Sequence, residues 1–241
     1  MIKLGISGAL GKMGRRLLSM ADKDDELEVV FGLERKGHKE IGKIIEGVKI
    51  EDDPEMIKMC DCLIEFTTPQ ATVEHIPYLI KFKKSAVIGT TGLNDQQVEK
   101  VKEAAKFVPI VFSPNMSVGV NLLFKLVKEA SKTLKGYKVY IQETHHIHKK
   151  DAPSGTAKKL AQIINNSGLR ITPEEIKAIR EDEVVGDHIV TFESDFDKIE
   201  LLHSAKTRDI FVKGALLGAK WVVAQRQGLY SMDDVLFSKV S

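Results

Sequence analysis

At 241 residues, with 43% hydrophobic and 29% charged side chains, the chain can bury a real core in one large domain or two small ones, and disorder is not indicated. A formal net charge of +2 gives no broad electrostatic case for nucleic acid, and no apolar run approaches the ~20 residues of a membrane-spanning helix. Only two cysteines occur, Cys60 and Cys62, expected on one strand; a disulfide at that spacing would be badly strained, and zinc would need more ligands nearby. The opening residues read at once as a strand, leaving no room for a signal peptide, so a reducing cytoplasm is the expected compartment.

Up to about residue 115, strands and helices alternate, the pattern of a parallel sheet covered on both faces. Strands are expected at 3–7, 28–32, 62–66, 86–89 and 110–112, with helices at 12–20, 71–81 and 95–106 between them. From Ser117 the pattern changes. Val120, Leu123, Phe124, Val127, Ala130 and Leu134 recur at helical spacing, a stripe that reads as packing in preference to a cofactor wall. Residues 137–146, 188–194 and 198–205 are strand-like, with a turn at 195–197, and 210–224 form a last amphipathic helix before a short tail from Gly228. The expected fold class is α/β: a Rossmann-type parallel sheet domain plus a second α+β domain with a mostly antiparallel sheet.

The strongest local signal is Gly8-Ala9-Leu10-Gly11-Lys12-Met13-Gly14, after an apolar strand and before a helix. Glycine there lets the backbone bend tightly and approach a pyrophosphate, and the helix start offers unpaired N–H groups. Gly8, Leu10, Gly11, Lys12, Met13 and Gly14 are the expected contacts, although the G-x-x-G-x-x-G spacing is not the commoner one and gains its weight from context. Lys12 and Arg15 either touch phosphates or are simply exposed. Glu34, closing the second strand about 20 residues on, can accept from the ribose hydroxyls of NADH. Arg35 and Lys36 beside it could hold the 2′-phosphate of NADPH, so both cofactors stay open. Phe66-Thr67-Thr68-Pro69, Gly89-Thr90-Thr91-Gly92 and Ser113-Pro114-Asn115-Met116 follow other strands at the edge where such sheets bind ligands. Phe66, Gly89, Thr90, Thr91, Ser113, Asn115 and Met116 are therefore added to the cofactor set.

The segment from Glu143 to Ala157 holds three of the seven histidines. His145, His146 and His148 lie in an expected extended stretch, but Lys149 and Lys150 would repel a metal ion and no further ligand stands nearby, so no metal is expected. Ser154 is a credible N-cap, after which Gly155 and Thr156 would present N–H groups to an anion. With His145, His146 and Lys149 just upstream, the segment combines proton donors with a carboxylate seat, as reduction of a carboxylated imine or enamine requires.

These residues resemble the dihydrodipicolinate reductase (4-hydroxy-tetrahydrodipicolinate reductase) family over almost the entire chain. The likeness runs through Gly8–Arg15, Glu34-Arg35, Ile64–Pro69, Gly89–Gly92, Ser113–Ser117, the specific stretch Glu143–Ala157, His203-Ser204-Ala205 with Arg208, and Gly228–Met232. The resemblance implies transfer of hydride from NADH or NADPH to a small cyclic dicarboxylate, giving tetrahydrodipicolinate in lysine and diaminopimelate biosynthesis. It implies His145 as proton donor, Lys149 as a group that assists protonation and binds substrate, His146 as a substrate contact, and Gly155 and Thr156 as holders of one ring carboxylate. Phe66 and Thr91 fall where the family lines the nicotinamide. The family's build implies a dinucleotide-binding domain at 1–116 and 208–241, a substrate-binding and oligomerisation domain at 117–207, and a homotetramer joined through second-domain sheets. Lys12 stands where an arginine is more usual, and Glu65 where an aspartate is.

Overall fold

A computed structural model describes residues 1–238 and divides the chain into two compact units. The first comprises Met1–Ser117 and the chain from Phe211 onward; the second is Val118–Ile210. In order, the first unit starts with β1 (Ile2–Ser7), α1 (Lys12–Ala21), β2 (Leu27–Leu33), β3 (Ile44–Ile45), β4 (Val48–Glu51), β5 (Cys62–Glu65), α2 (Pro69–Phe82), β6 (Ser85–Ile88), α3 (Asp95–Ala105) and β7 (Pro109–Phe112). The second holds α4 (Val118–Thr133), β8 (Lys138–His145), α5 (Gly155–Asn166), β9 (Ile176–Arg180), β10 (Gly186–Glu193) and β11 (Lys198–Ala205). α6 (Asp209–Val222), β12 (Gly228–Tyr230) and α7 (Met232–Phe237) complete the described chain.

In the first unit the strand order is β12-β7-β6-β5-β1-β2-β4-β3, parallel except where β3 turns back along β4. Every residue of β5 and β6 is buried, as expected of strands covered on both faces. Alternation sends Leu4, Ile6, Ile64, Val87 and Val111 into one core with α1 and α6, and Leu63, Ala86, Ile88 and Ile110 into the other with α2 and α3. Each such side chain contributes about 1.5–3 kcal/mol relative to exposure. The helices begin where local chemistry directs. Thr68 caps α2 by accepting from the N–H of Ala71, with Pro69 in the first position, and Asn94 with Gln97 closes a capping box on α3.

Two expectations are corrected here. Gly228 begins not a tail but β12, which pairs with β7 at the sheet edge. Cys60 does not share the strand of Cys62; it ends a 3-10 turn, Pro54–Met59, just before β5. Both thiols are free and buried, and burial pushes that of Cys60 up to about 12, which leaves no reactive thiolate at neutral pH.

The second unit's sheet has the order β11-β10-β8-β9, with β10 antiparallel to both β11 and β8, and β9 parallel to β8. α4 and α5 supply the core of one face, where Leu123 and Val127 pack with Ile141, Leu160, Val190 and Phe192. On the other face Tyr140 and Leu202 are exposed. Among the described residues no helix is long and apolar enough to cross a membrane.

Candidate active site

In the first unit the glycine turn follows β1. Gly8 has φ +73°, and a Cβ there would stand 2.5 Å from the carbonyl oxygen of Phe66. A Cβ at Gly14 would meet the Gly8 carbonyl oxygen at 2.1 Å, so the helix can leave the turn this closely only with glycine. Gly11 is the N-cap of α1 and supplies no side-chain hydrogen bond, which suits a site that spends its first-turn N–H groups on a phosphate. Glu34 Oε1 accepts from the N–H of Leu10 at 2.8 Å, joining the acidic strand end to the turn. Arg15 donates to the Leu10 carbonyl at 3.2 Å and so braces the turn, while Lys12 and Arg35 are exposed. The glycine turn and the open start of α1 have the shape and the N–H groups to take a pyrophosphate.

The neighbouring loops converge on that turn. The Phe66 ring lies over Gly89, where a Cβ would come within 2.5 Å of it. The buried hydroxyl of Thr90 accepts from Thr67 N–H (3.1 Å) and from Thr72 Oγ1 (2.9 Å), so the fold uses it, whereas Thr91 is exposed. Ser113 donates to the Asn115 carbonyl (2.9 Å), and Asn115 Oδ1 accepts from Ser117 N–H (2.9 Å). The Met116 side chain is buried in the core, away from any ligand surface. Beneath these loops, buried Glu65 binds His75 Nδ1 at 2.6 Å and Thr67 Oγ1 at 3.0 Å. Burial alone would lower the His75 pKa, but the charge and hydrogen bond of Glu65 outweigh it and hold it raised. The glutamate in place of aspartate thereby acquires a physical role: it reaches α2.

In the second unit, Glu143 and His145 sit two apart on β8 and so share a face. Glu143 is wholly buried. Its carboxylate accepts from Ser154 N–H (3.2 Å) and from both terminal nitrogens of Arg180 (3.0 and 3.2 Å), and it is hydrogen-bonded to His145 Nδ1. Burial pushes the Glu143 pKa up, but Arg180 and His145 more than reverse this and keep it below the ordinary value. His145 itself is lowered, burial outweighing the support of Glu143. The His188 ring stands edge-on to His145 with centroids 5.1 Å apart, and its Nε2 is 3.2 Å from Ser154 Oγ. Ser154 is indeed the N-cap of α5, accepting from Ala157 N–H at 3.2 Å, and Gly155 and Thr156 form the first turn behind it.

His146 is not on the strand. β8 ends at His145, and the His146 N–H donates to the Val184 carbonyl at 2.7 Å as the chain turns, with its Nδ1 buried and without a partner among the described residues. Lys149 pairs with Asp151 at 2.7 Å, and exposed His148 stands beside Glu183. Among the described residues no group of three or more His, Cys, Asp or Glu is placed to hold a metal ion. The structure thus gathers His145, Ser154, Gly155 and Thr156 around a hub, Glu143 and Arg180, that sequence reasoning missed. The same-face spacing of Glu143 and His145 was a usable signal; Arg180, at the head of the charge run Arg180-Glu181-Asp182-Glu183, reads as solvated surface.

A Rossmann-type glycine turn on one unit and an acid–base cluster at a helix start on the other define the class of nicotinamide-dependent oxidoreductases. Residues 2–116 match the family model described as dihydrodipicolinate reductase, N-terminus, and residues 119–236 the one described as its C-terminus. The chain is 40% identical to the 4-hydroxy-tetrahydrodipicolinate reductase of Aquifex aeolicus, over 98% of both chains. It is 38% identical to that of Geotalea daltonii, over 98% of this chain and 99% of the other. Its fold is similar to that of dipicolinate-bound dihydrodipicolinate reductase from Paenisporosarcina sp. TG-14, with TM-score 0.82 and 24% identity over 96% of this chain and 97% of that one. The chain belongs to the dihydrodipicolinate reductase family.

Proposed function

We propose that the protein reduces 4-hydroxy-tetrahydrodipicolinate to tetrahydrodipicolinate with NADH or NADPH, in lysine and diaminopimelate biosynthesis. The observation that carries this reading is the placement of His145, bonded to a buried carboxylate, beside the capped start of α5. The bound dinucleotide supplies the hydride. Gly8, Leu10, Gly11, Lys12, Met13 and Gly14 would seat its pyrophosphate, and Glu34 and Arg35 its adenosine end. Phe66, Gly89, Thr91, Ser113 and Asn115 would line the nicotinamide, with Thr90 supporting that wall from behind.

On the second unit His145 gives the proton, and Lys149 exchanges its Asp151 partner for a substrate carboxylate and assists. Gly155 and Thr156 hold the other carboxylate at the α5 start, where N–H groups and the helix dipole favour an anion, and His146 contacts the ring. We assign dinucleotide binding to 1–116 and 208–241, and substrate binding to 117–207. The exposed apolar groups Tyr140 and Leu202 on the outer sheet face support a homotetramer joined there, and the two buried free thiols suit a cytoplasmic setting.

The test is direct. Purified protein should oxidise NADH or NADPH only when the cyclic dicarboxylate is generated in the cuvette from pyruvate and aspartate semialdehyde by a synthase. His145→Gln should cut kcat at least 100-fold with cofactor affinity intact, and Lys149→Met should damage both kcat and substrate KM. No oxidation with that substrate, or a His145→Gln enzyme of normal rate, refutes the reading.

A further inference from the structure

We propose that Glu143 and Arg180 are positioning residues for this reduction: they hold His145 in the tautomer protonated at Nδ1, so that Nε2 is the nitrogen that carries and delivers the proton. The proposal rests on the reductase reading and assigns to it two groups that touch His145 and its loop rather than the substrate.

The argument starts from hydrogen-bond capacity. A carboxylate offers about four acceptor directions and no donor. Those of Glu143 receive Ser154 N–H, two Arg180 N–H groups and His145 Nδ1. With a two-pronged guanidinium upon it, Glu143 is ionised, and an ionised carboxylate leaves His145 Nδ1 only the donor role. A neutral imidazole has one N–H, so Nε2 then bears the lone pair, takes up the mobile proton and loses it to a reacting atom. That nitrogen edge lies over Gly186 of β10, where a Cβ would stand 2.9 Å from Nε2. Glycine there leaves room for the ring.

Arg180 reaches this position through sheet register. β9 runs parallel to β8 with Arg180 as the direct partner of His145. The guanidinium also donates to the backbone carbonyls of Asp151 (2.5 Å) and Lys149 (3.3 Å). One side chain therefore ties the loop bearing Lys149 to the carboxylate that orients His145, while Ser154 N–H ties the start of α5 to the same carboxylate. Proton donor and anion seat are set by a single hub. The charged and titratable groups facing His145 are Glu143 on its own strand, Arg180 on β9, His188 on β10 and Lys149 in the following turn. Of these four, only Glu143 favours the imidazolium.

Nitrogen-15 spectra of histidine-labelled wild-type protein at neutral pH should show His145 protonated at Nδ1; protonation at Nε2 alone would overturn the proposal with no variant needed. Glu143→Gln should lower kcat about 100-fold, leave the NADH Kd within about twofold, and move the basic limb of the kcat–pH profile to lower pH, because the imidazolium has lost the carboxylate that supports it. Loss of rate with the limb unmoved would mark a merely structural role and refute the idea. Arg180→Lys should retain more activity than Arg180→Met; equal and undiminished rates in both would also refute it. Should Glu143→Gln not fold, the wild-type tautomer decides. Failure here is distinguishable from failure of the reductase reading, because that reading falls only if the wild-type enzyme ignores the cyclic dicarboxylate or His145→Gln keeps its rate.

Discussion

Replacing His188 by glutamine should flatten the acid limb of the second unit's stability. His188 is 3% exposed, and burial first, then neighbouring His145, pushes its pKa down from 6.5 to about 3. In the unfolded chain the same imidazole protonates near its ordinary value. Between those limits the unfolded state binds a proton that the native state refuses, so stability is fully present above pH 6.5 and is lost as pH falls. One pH unit costs about 1.36 kcal/mol, so going from pH 6.5 to 5.0 should remove about 2 kcal/mol through this one residue. His145 and His203 are also lowered and add in the same direction, but they remain in the variant, so most of their contribution drops out of the comparison. The assay is hydrogen-exchange protection of the β8 and β10 amides at pH 7 and pH 5 in both proteins. Wild type should lose about 2 kcal/mol more than His188→Gln over that interval. Equal losses would show that His188 is protonated in the native state and that the buried, neutral imidazole is a misreading.

Gly186→Ala should push the His145 ring by a few tenths of an ångström and lower kcat roughly tenfold without changing NADH affinity, as read by steady-state rates and direct titration. Glu34→Ala should weaken NADH about tenfold and NADPH less, since a ribose diol loses its acceptor while a 2′-phosphate never needed one; equal losses would move the adenosine site elsewhere. His75 has its pKa raised by Glu65, so its pairing stabilises the first unit fully at acid pH and less as pH rises past that raised value. His75→Gln should abolish that alkaline decline in thermal melts followed by the fluorescence of Trp221, the chain's one tryptophan.

The first unit was legible because its central strands are buried on both faces. Residues 62–64 and 85–88 are unbroken runs of apolar or small side chains, and the glycines at 8, 11 and 14 mark the turn that follows β1. β3, β4 and β9 were not foreseen: they are short and lie at or next to a sheet edge, β3 is only two residues long, and β4 and β9 mix charged with apolar residues, so little in their composition separates them from loop. The candidate site was legible where it is local in sequence, from His145 through Thr156. Its hub was not, because Glu143 and Arg180 are 37 residues apart and meet only through the register of two strands. Thr90 and Met116 were assigned from their loops, yet the direction a side chain takes at a strand end is set by packing, and both turn inward.

The return of the chain to complete the first sheet bears on how the protein is made. Val212, Ala215, Ala219, Val222 and Met232 belong to the core that β1 and α1 begin, and β12 supplies the edge beyond β7. A nascent chain leaving the ribosome exit tunnel therefore carries an unfinished nucleotide lobe, with one layer lacking one of its two covering helices, until α6 has emerged. The second unit draws its whole sheet from one uninterrupted stretch and can mature first. A premature stop anywhere before α6 would yield a polypeptide with a bare hydrophobic face, a substrate for chaperones and proteases rather than a smaller working enzyme.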